Sequence, residues 1–266
     1  MAFIDISDIS KSFTSGLERR DVLASASLSV ERGEFVSIVG TMGCGKSTFL
    51  KIAAGLVPPD HGRVEVNGVL VRDVQPNAAI VFQNYSLLPW FSALENVRLA
   101  VGAAFPTWSK DRQREQAARH LEAVGLGNAL QKRPGQLSGG MRQRVAIARA
   151  FAIEPEILFL DEPFGALDAL TRESLQQELV RLSSAAERPV TTVMITNSVE
   201  EALLLSDRIV PMTRGPKATL GTAVPVDLRR PRTASELIHD DHAAHVRADV
   251  VATLTRNLKP SKQRVA

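Results

Sequence analysis

Cysteine is nearly missing from the 266 residues: the single Cys44 excludes an internal disulfide. Long hydrophobic runs are missing too. No window holds the roughly 18 consecutive apolar residues of a membrane-spanning helix, and the apolar stretches are strand-sized, as in "EILFL" (156–160). Any membrane role is therefore expected to come through a partner. The first residues, "MAFIDISDIS", lack a basic start and a following apolar run, so no signal peptide is expected and the chain should stay in the cytosol. Charge of one sign is scarce. Lys and Arg number 32 against 29 Asp and Glu, a net +3, and even with a sequence pI near 9.2 this is too small an excess to argue for nucleic acid, so no such partner is expected. What remains is 44% hydrophobic content, ample for a core in one large domain or a domain with an appendage.

Strand-like and helix-like patterns alternate, the layout of an α/β protein with a parallel sheet covered by helices. "EFVSIVG" (34–40) reads as a buried strand and "KSTFLKIAAGL" (46–56) as a helix that Gly55 and Pro58 help to end. "GRVEVNGVLV" (62–71) alternates around an "NG" turn and predicts an antiparallel hairpin; "AAIVFQ" (78–83) is another buried strand. Residues 84–154 are mostly helical and read as a helical subdomain inserted in the sheet; within it, "SKDRQREQAARHLEAVGL" (109–126) reads as a solvated helix face. The sheet resumes with "EILFLDEP" (156–163), passes a helix at 170–185 and returns with "VTTVMIT" (190–196). Beyond about residue 225 the pattern fades into an extension of unknown role holding one plausible helix between charged ends.

Chemistry concentrates in "GTMGCGKST". Gly40, Gly45, Lys46 and Ser47 match G-x-x-x-x-G-K-[ST] between a buried strand and a helix, the context a phosphate loop requires. Glycines let backbone N–H groups ring an anion at a helix N-terminus, while lysine reaches the terminal phosphates and the hydroxyl binds Mg²⁺. The candidate loop is Gly40, Thr41, Met42, Gly43, Cys44, Gly45, Lys46, Ser47 and Thr48, with Cys44 as a small neutral filler and a redox sensor beside Lys46 as the lesser reading. "ILFLDE" (157–162) delivers Asp161 and Glu162 to a strand's C-terminal edge. Asp161 is a candidate Mg²⁺ ligand through water, and Glu162 a general base. In "LSGGMRQRVAIARA" (137–150), Ser138, Gly139 and Gly140 open a second helix with a hydroxyl and bare backbone, suited to phosphate.

Over residues 3–225 the chain resembles the ATP-binding cassette (ABC) family, whose core is a P-loop NTPase with an antiparallel β-subdomain and an inserted helical subdomain. The resemblance implies a head-to-tail dimer in which Leu137, Ser138, Gly139 and Gly140 of one cassette close over ATP held by the other's phosphate loop. It implies that Phe13 stacks on adenine, that Gln83 contacts Mg²⁺ and water and links to the membrane partner, and that Asp168 lies in a loop crossing the dimer interface. "VFQNYSLLPWFSALENVRLAV" (81–101) and "EALLLSDRIV" (201–210) are similar to cassettes of nitrate importers and, more distantly, of sulfonate, taurine or bicarbonate importers. The implied setting is the cytoplasmic side of the cell membrane, against two transmembrane permease subunits, with an extracytoplasmic solute-binding protein acting indirectly.

One position departs from that family. Where "TH" normally ends the 190–196 strand, with the histidine contacting the γ-phosphate, this chain has "TNS", so Asn197 takes the place. An amide donates a hydrogen bond but cannot become cationic or relay a proton. Nucleotide binding is expected to survive and turnover to be slowed, which favours work beside a second, different cassette over a homodimer. The alternative is a weakened cassette acting as regulatory or scaffold partner of an active one. Chromosome-maintenance ATPases are excluded because Lys46 and Ser138 lie too close for a coiled-coil insertion, and translation factors because there is no second phosphate loop. The run "HDDHAAH" (239–245) spaces three histidines over about 120° of a helix, too wide for one compact metal site; a solvated or regulatory tail is the favoured reading.

Overall fold

The computed structural model describes residues 2–16, 18–185, 189–230 and 232–256; the end of the extension, 257–266, lies outside them. In chain order the first elements are β1 (Ile4–Ser15), β2 (Glu18–Val30), β3 (Phe35–Val39), α1 (Lys46–Ala53), β4 (His61–Val66), β5 (Val69–Leu70) and β6 (Ala78–Val81). Three helices follow: α2 (Ala93–Ala104), α3 (Lys110–Ala123) and α4 (Gly139–Phe151). Then come β7 (Ile157–Asp161), α5 (Ala169–Ala185), β8 (Thr191–Thr196), α6 (Val199–Leu205), β9 (Arg208–Pro211), β10 (Val224–Pro225), α7 (Ala234–His239) and α8 (Asp241–Arg256). The chain forms two units, Met1–Asp73 with Met194–Ala266, and Val74–Val193.

In the first unit an antiparallel sheet has the order β2-β1-β4-β5. Its inward residues on β1 are Ile4, Ile6 and Ile9, all essentially fully buried. Ile6 and Ile9 are three apart, an odd spacing that a regular strand sends to opposite faces. The pairing slips between them, with Asp8 at φ 55°, and that bulge returns Ile9 to the core. The expected hairpin is present: Val66 pairs with Val69, and Asn67 and Gly68 both take positive φ, 50° and 75°, the geometry a two-residue turn between twisted strands prefers. β3, buried along its whole length, runs parallel to β9, which pairs antiparallel with β10.

The tail differs from the sequence expectation. Two helices replace one, because Asp240 interrupts them in an extended conformation at ψ 118° and its side chain accepts from the Ala243 N–H. Both helices pack on α6 and β9 through Leu237, Ala243, Val246 and Val250. That burial explains why the apolar positions looked irregular: they serve two short faces, each too brief to show a period. α1 stops at Ala53, two residues short of Gly55, whose φ of 75° suits glycine and whose added Cβ would meet the Asp73 carbonyl at 2.5 Å.

In the second unit β6 runs parallel to β7, and α2, α3 and α4 pack together. The expected helical stretch 84–154 lies inside this unit, which also takes in β6, β7 and α5. Ser92 and Glu95 form a reciprocal cap at the start of α2. α3 is polar along most of its surface yet buries Ala117 and Leu121 completely, so the charged run keeps one narrow face for packing. β8 carries the chain from this unit into the first.

Candidate functional site

The phosphate loop leaves the buried strand β3 and enters α1. Gly43 and Gly45 have φ of 74° and 119°, left-handed conformations that suit glycine and curl the backbone, and the Cys44 N–H donates to the Thr41 carbonyl at 3.3 Å within the loop. Gly40 is glycine for room: a Cβ there would sit 2.9 Å from Cys44 Sγ and 3.2 Å from Met212 Cβ. Behind Gly45, Val22 and Leu23 would each be met at 3.1 Å. Cys44 is buried and fills the inside of the loop, while Thr41 and Met42 face outward, Met42 at 86% exposure. Ser47 and Thr48 lie half-buried in the first turn of α1. A cavity of about 460 Å³ adjoins Thr41–Cys44 and is flanked by Arg20 and Arg214, so its walls favour an anion.

Lys46 is 3% exposed. Its ammonium donates to the Gly40 carbonyl at 3.0 Å, the Thr41 carbonyl at 3.2 Å and Asn197 Oδ1 at 2.6 Å. An ammonium has only donors, so the amide atom facing it is the oxygen and the Asn197 NH₂ points elsewhere. The residue that departs from the family pattern is thus hydrogen-bonded to the lysine of the phosphate loop, although 151 positions separate them. Phe13 lies near the end of β1, paired with Arg20 and 46% exposed, with the Lys11 ammonium 5.6 Å from its ring centroid. Lys11 and Ser12 are anchored by Asp60, and those bonds hold the Asp60 carboxyl well below the usual carboxylate range.

The remaining candidates belong to the second unit. Asp161 closes β7 and is buried. Glu162 follows at φ 45°, a left-handed conformation uncommon for such a residue, which turns it out of the strand's alternation. Ser138 caps α4, its Oγ accepting from the Met141 N–H at 3.2 Å and its own hydroxyl proton remaining to donate. A Cβ on Gly140 would meet Thr171 Cγ2 at 2.5 Å, so the second glycine of the signature is needed for close packing on the start of α5. Leu137 anchors the segment inside. Asp168 accepts from the Thr171 N–H at 3.0 Å, and that bond, with the Thr171 hydroxyl, holds its carboxyl below the ordinary value. Signature and Asp168 turn therefore share Thr171.

Gln83 is exposed just after β6. The next residues carry a feature the sequence hides: Tyr85 and Ser86 have φ of 64° and 45° with no glycine. Arg149 on α4 compensates, donating to the Ser86 carbonyl at 2.6 Å and the Tyr85 carbonyl at 2.9 Å. Nothing in the residue types foretold that grip; only a basic residue inside an otherwise buried helix face hinted at it. His239 ends α7 whereas His242 and His245 lie on α8, and among the described residues no group of three or more His, Cys, Asp or Glu side chains could hold a metal ion.

The family model for ABC transporters matches residues 23–165. The nitrate import ATP-binding protein NrtD of Synechococcus elongatus is 46% identical over 254 residues, 96% of this chain and 92% of that protein. The bicarbonate transport ATP-binding protein CmpD of a Synechocystis species is 45% identical over 239 residues, covering 90% and 84%. Among solved structures, the dimeric post-hydrolysis cassette MJ0796 bound to ADP and Pi superposes with a TM-score of 0.75 at 30% identity, over 85% of this chain and all of the other.

Proposed function

The chain belongs to the ABC transporter family, and from that membership we propose that it is the ATP-binding and ATP-hydrolysing subunit of an importer for nitrate or a related small anion. Energy from ATP would reach the solute path through two separate membrane subunits, with this chain on their cytoplasmic side and a solute-binding protein on the other. The likeness to nitrate and bicarbonate cassettes across nearly the whole chain supports the solute class, and the likeness to a dimeric cassette supports a second cassette as partner. No helix among the described residues is long and apolar enough to cross a membrane.

The observation that carries the ATPase reading is the Lys46–Asn197 pair. Asn197 Oδ1 occupies one donor direction of the ammonium, as a terminal phosphate oxygen would. When triphosphate enters, Lys46 transfers that bond to phosphate, and the Asn197 amide swings its NH₂ toward the same group, replacing the histidine of the family pattern. Glu162 takes a proton from the attacking water and Gln83 orients it. Phe13, 46% exposed, offers aromatic surface for the adenine. Ser47, Gln83 and Asp161, the candidates carried over from the family pattern, each offer an oxygen donor of the kind Mg²⁺ takes. When bound, that ion would neutralise phosphate charge. Because a neutral amide stabilises the developing charge less than an imidazolium, turnover at this site is slow.

Equilibrium binding of a fluorescent ATP analogue and phosphate release by the purified chain test the reading. Lys46→Ala should abolish binding, and Glu162→Gln should keep binding while lowering kcat by about 10²-fold or more. Binding that survives Lys46→Ala unchanged would overturn it.

A further inference from the structure

We propose that the C-terminal segment from Val226 through α8 is a clamp that sets the position of Asn197 beside Lys46, and with it the reach of its amide toward a terminal phosphate, with Arg247 and Arg232 as positioning residues; this rests on the ATPase reading above. Asn197 is joined to α6 by one residue, Ser198. The Ser198 N–H donates to Thr196 Oγ1 at 3.1 Å, the Thr196 hydroxyl donates to Glu201 Oε2 at 2.5 Å, and the Glu201 N–H donates to Ser198 Oγ at 3.2 Å. The backbone on both sides of Asn197 is thereby tied to the first turn of α6.

α6 has seven residues, fewer than an isolated helix needs to persist. Besides its Ser198 cap and its packing on β3, the tail holds it at both ends. At its N-terminal end Arg247 Nε and Nη2 reach the two Glu200 carboxylate oxygens at 2.7 and 3.0 Å, a fork-on-fork pair. At its C-terminal end Arg232 Nη1 donates to the Leu203 and Ser206 carbonyls at 2.8 and 2.7 Å, and Arg230 to the Leu205 carbonyl at 2.7 Å, satisfying acceptors that a helix end leaves open. The other Arg232 nitrogens bind the Val226 and Leu228 carbonyls, so one guanidinium staples the start of the tail to α6. Between these ends, Leu237, Val246 and Val250 share an apolar cluster with Leu203 and with Val39. Val39 is the residue before Gly40. One cluster thus touches the helix that presents Asn197 and the strand that launches the phosphate loop, and a shift in the tail changes the spacing that the 2.6 Å bond depends on.

The test uses the full chain with Arg247→Ala, the exchange pair Glu200→Arg/Arg247→Glu, Asn197→Ala, and Asn197→Ala/Arg247→Ala. Steady-state ATP hydrolysis gives kcat and KM, and amide hydrogen exchange over 196–202 gives local order. Arg247→Ala should lower kcat about fivefold, the scale of one exposed bidentate ion pair, with KM within about twofold and faster exchange. The exchange pair should restore both, and Arg247→Ala should cost nothing further once Asn197 is alanine. An unchanged kcat and exchange in Arg247→Ala, or an equal loss in the Asn197→Ala background, overturns the clamp. A wild-type chain that turns over no ATP, while Arg247→Ala still speeds exchange at 196–202, overturns the ATPase reading and supports the clamp.

Discussion

Asn197 shows how one residue's role depends on which of its atoms is engaged. Its oxygen accepts from Lys46, so in the proposed mechanism its amide hydrogens serve phosphate only after that bond is released. Asn197→His should raise kcat about tenfold with little change in ATP affinity, since imidazole can carry charge that the amide cannot. Phosphate-release kinetics on both proteins decide it; a wild-type rate untouched by the change removes the claim. Gln143 poses the opposite case. It is fully buried on α4, and among the described residues neither its Oε1 nor its Nε2 finds a hydrogen-bond partner. An amide stranded in this way costs about 1–3 kcal/mol. Gln143→Met, similar in volume and free of that penalty, should therefore raise the thermal midpoint by roughly 3 °C for a unit of this size. A fall on calorimetry would mean that the amide has a partner in solution.

At the scale of elements, helices in the second unit show how caps and burial set stability. The reciprocal cap of Ser92 and Glu95 begins α2, so Ser92→Ala should cost about 1 kcal/mol in chemical denaturation. On α3, burial and then the neighbouring Arg119 pull the His120 imidazole down to about 4 from 6.5. The folded protein holds the ring neutral where the unfolded chain already binds a proton. Stability from this residue is full above about pH 6.5 and is lost as pH falls toward 4, by up to about 3 kcal/mol. His120→Gln should flatten that slope in urea titrations across pH 4–7; an identical slope would assign it elsewhere. The elements themselves were mostly legible, because β3, β7 and β8 are short, largely apolar or β-branched runs buried along their length and the hairpin carries its "NG" turn. The bulge in β1 was not, since it changes the parity of inward residues without a glycine to mark it. Nor were the paired tail helices, whose apolar residues make sense only against α6 and β9.

For the molecule as a whole, the proposed work is done between chains. With Glu162→Gln and ATP, two cassettes should remain closed long enough for light scattering after size exclusion to report twice the monomer mass; an unchanged mass at saturating ATP, alone and with a candidate partner cassette, would sink the shared-site reading. The candidate site was legible where chemistry forces adjacency in the chain: nine consecutive residues make the phosphate loop, and four make the signature. It was illegible where the parts are distant in sequence, as with Met212 under Gly40, Thr171 against Gly140, or Arg149 on the Tyr85–Ser86 carbonyls. The sequence by itself determined the α/β class, the phosphate loop, the signature helix and the substitution at position 197, because each is a local pattern of backbone freedom, periodicity or residue type. Only the tertiary structure decided that Asn197 turns its oxygen to Lys46 and that the tail grips α6 at both ends. Hydrogen bonds and apolar contacts between distant segments depend on distances of a few ångströms, and chain spacing does not encode them.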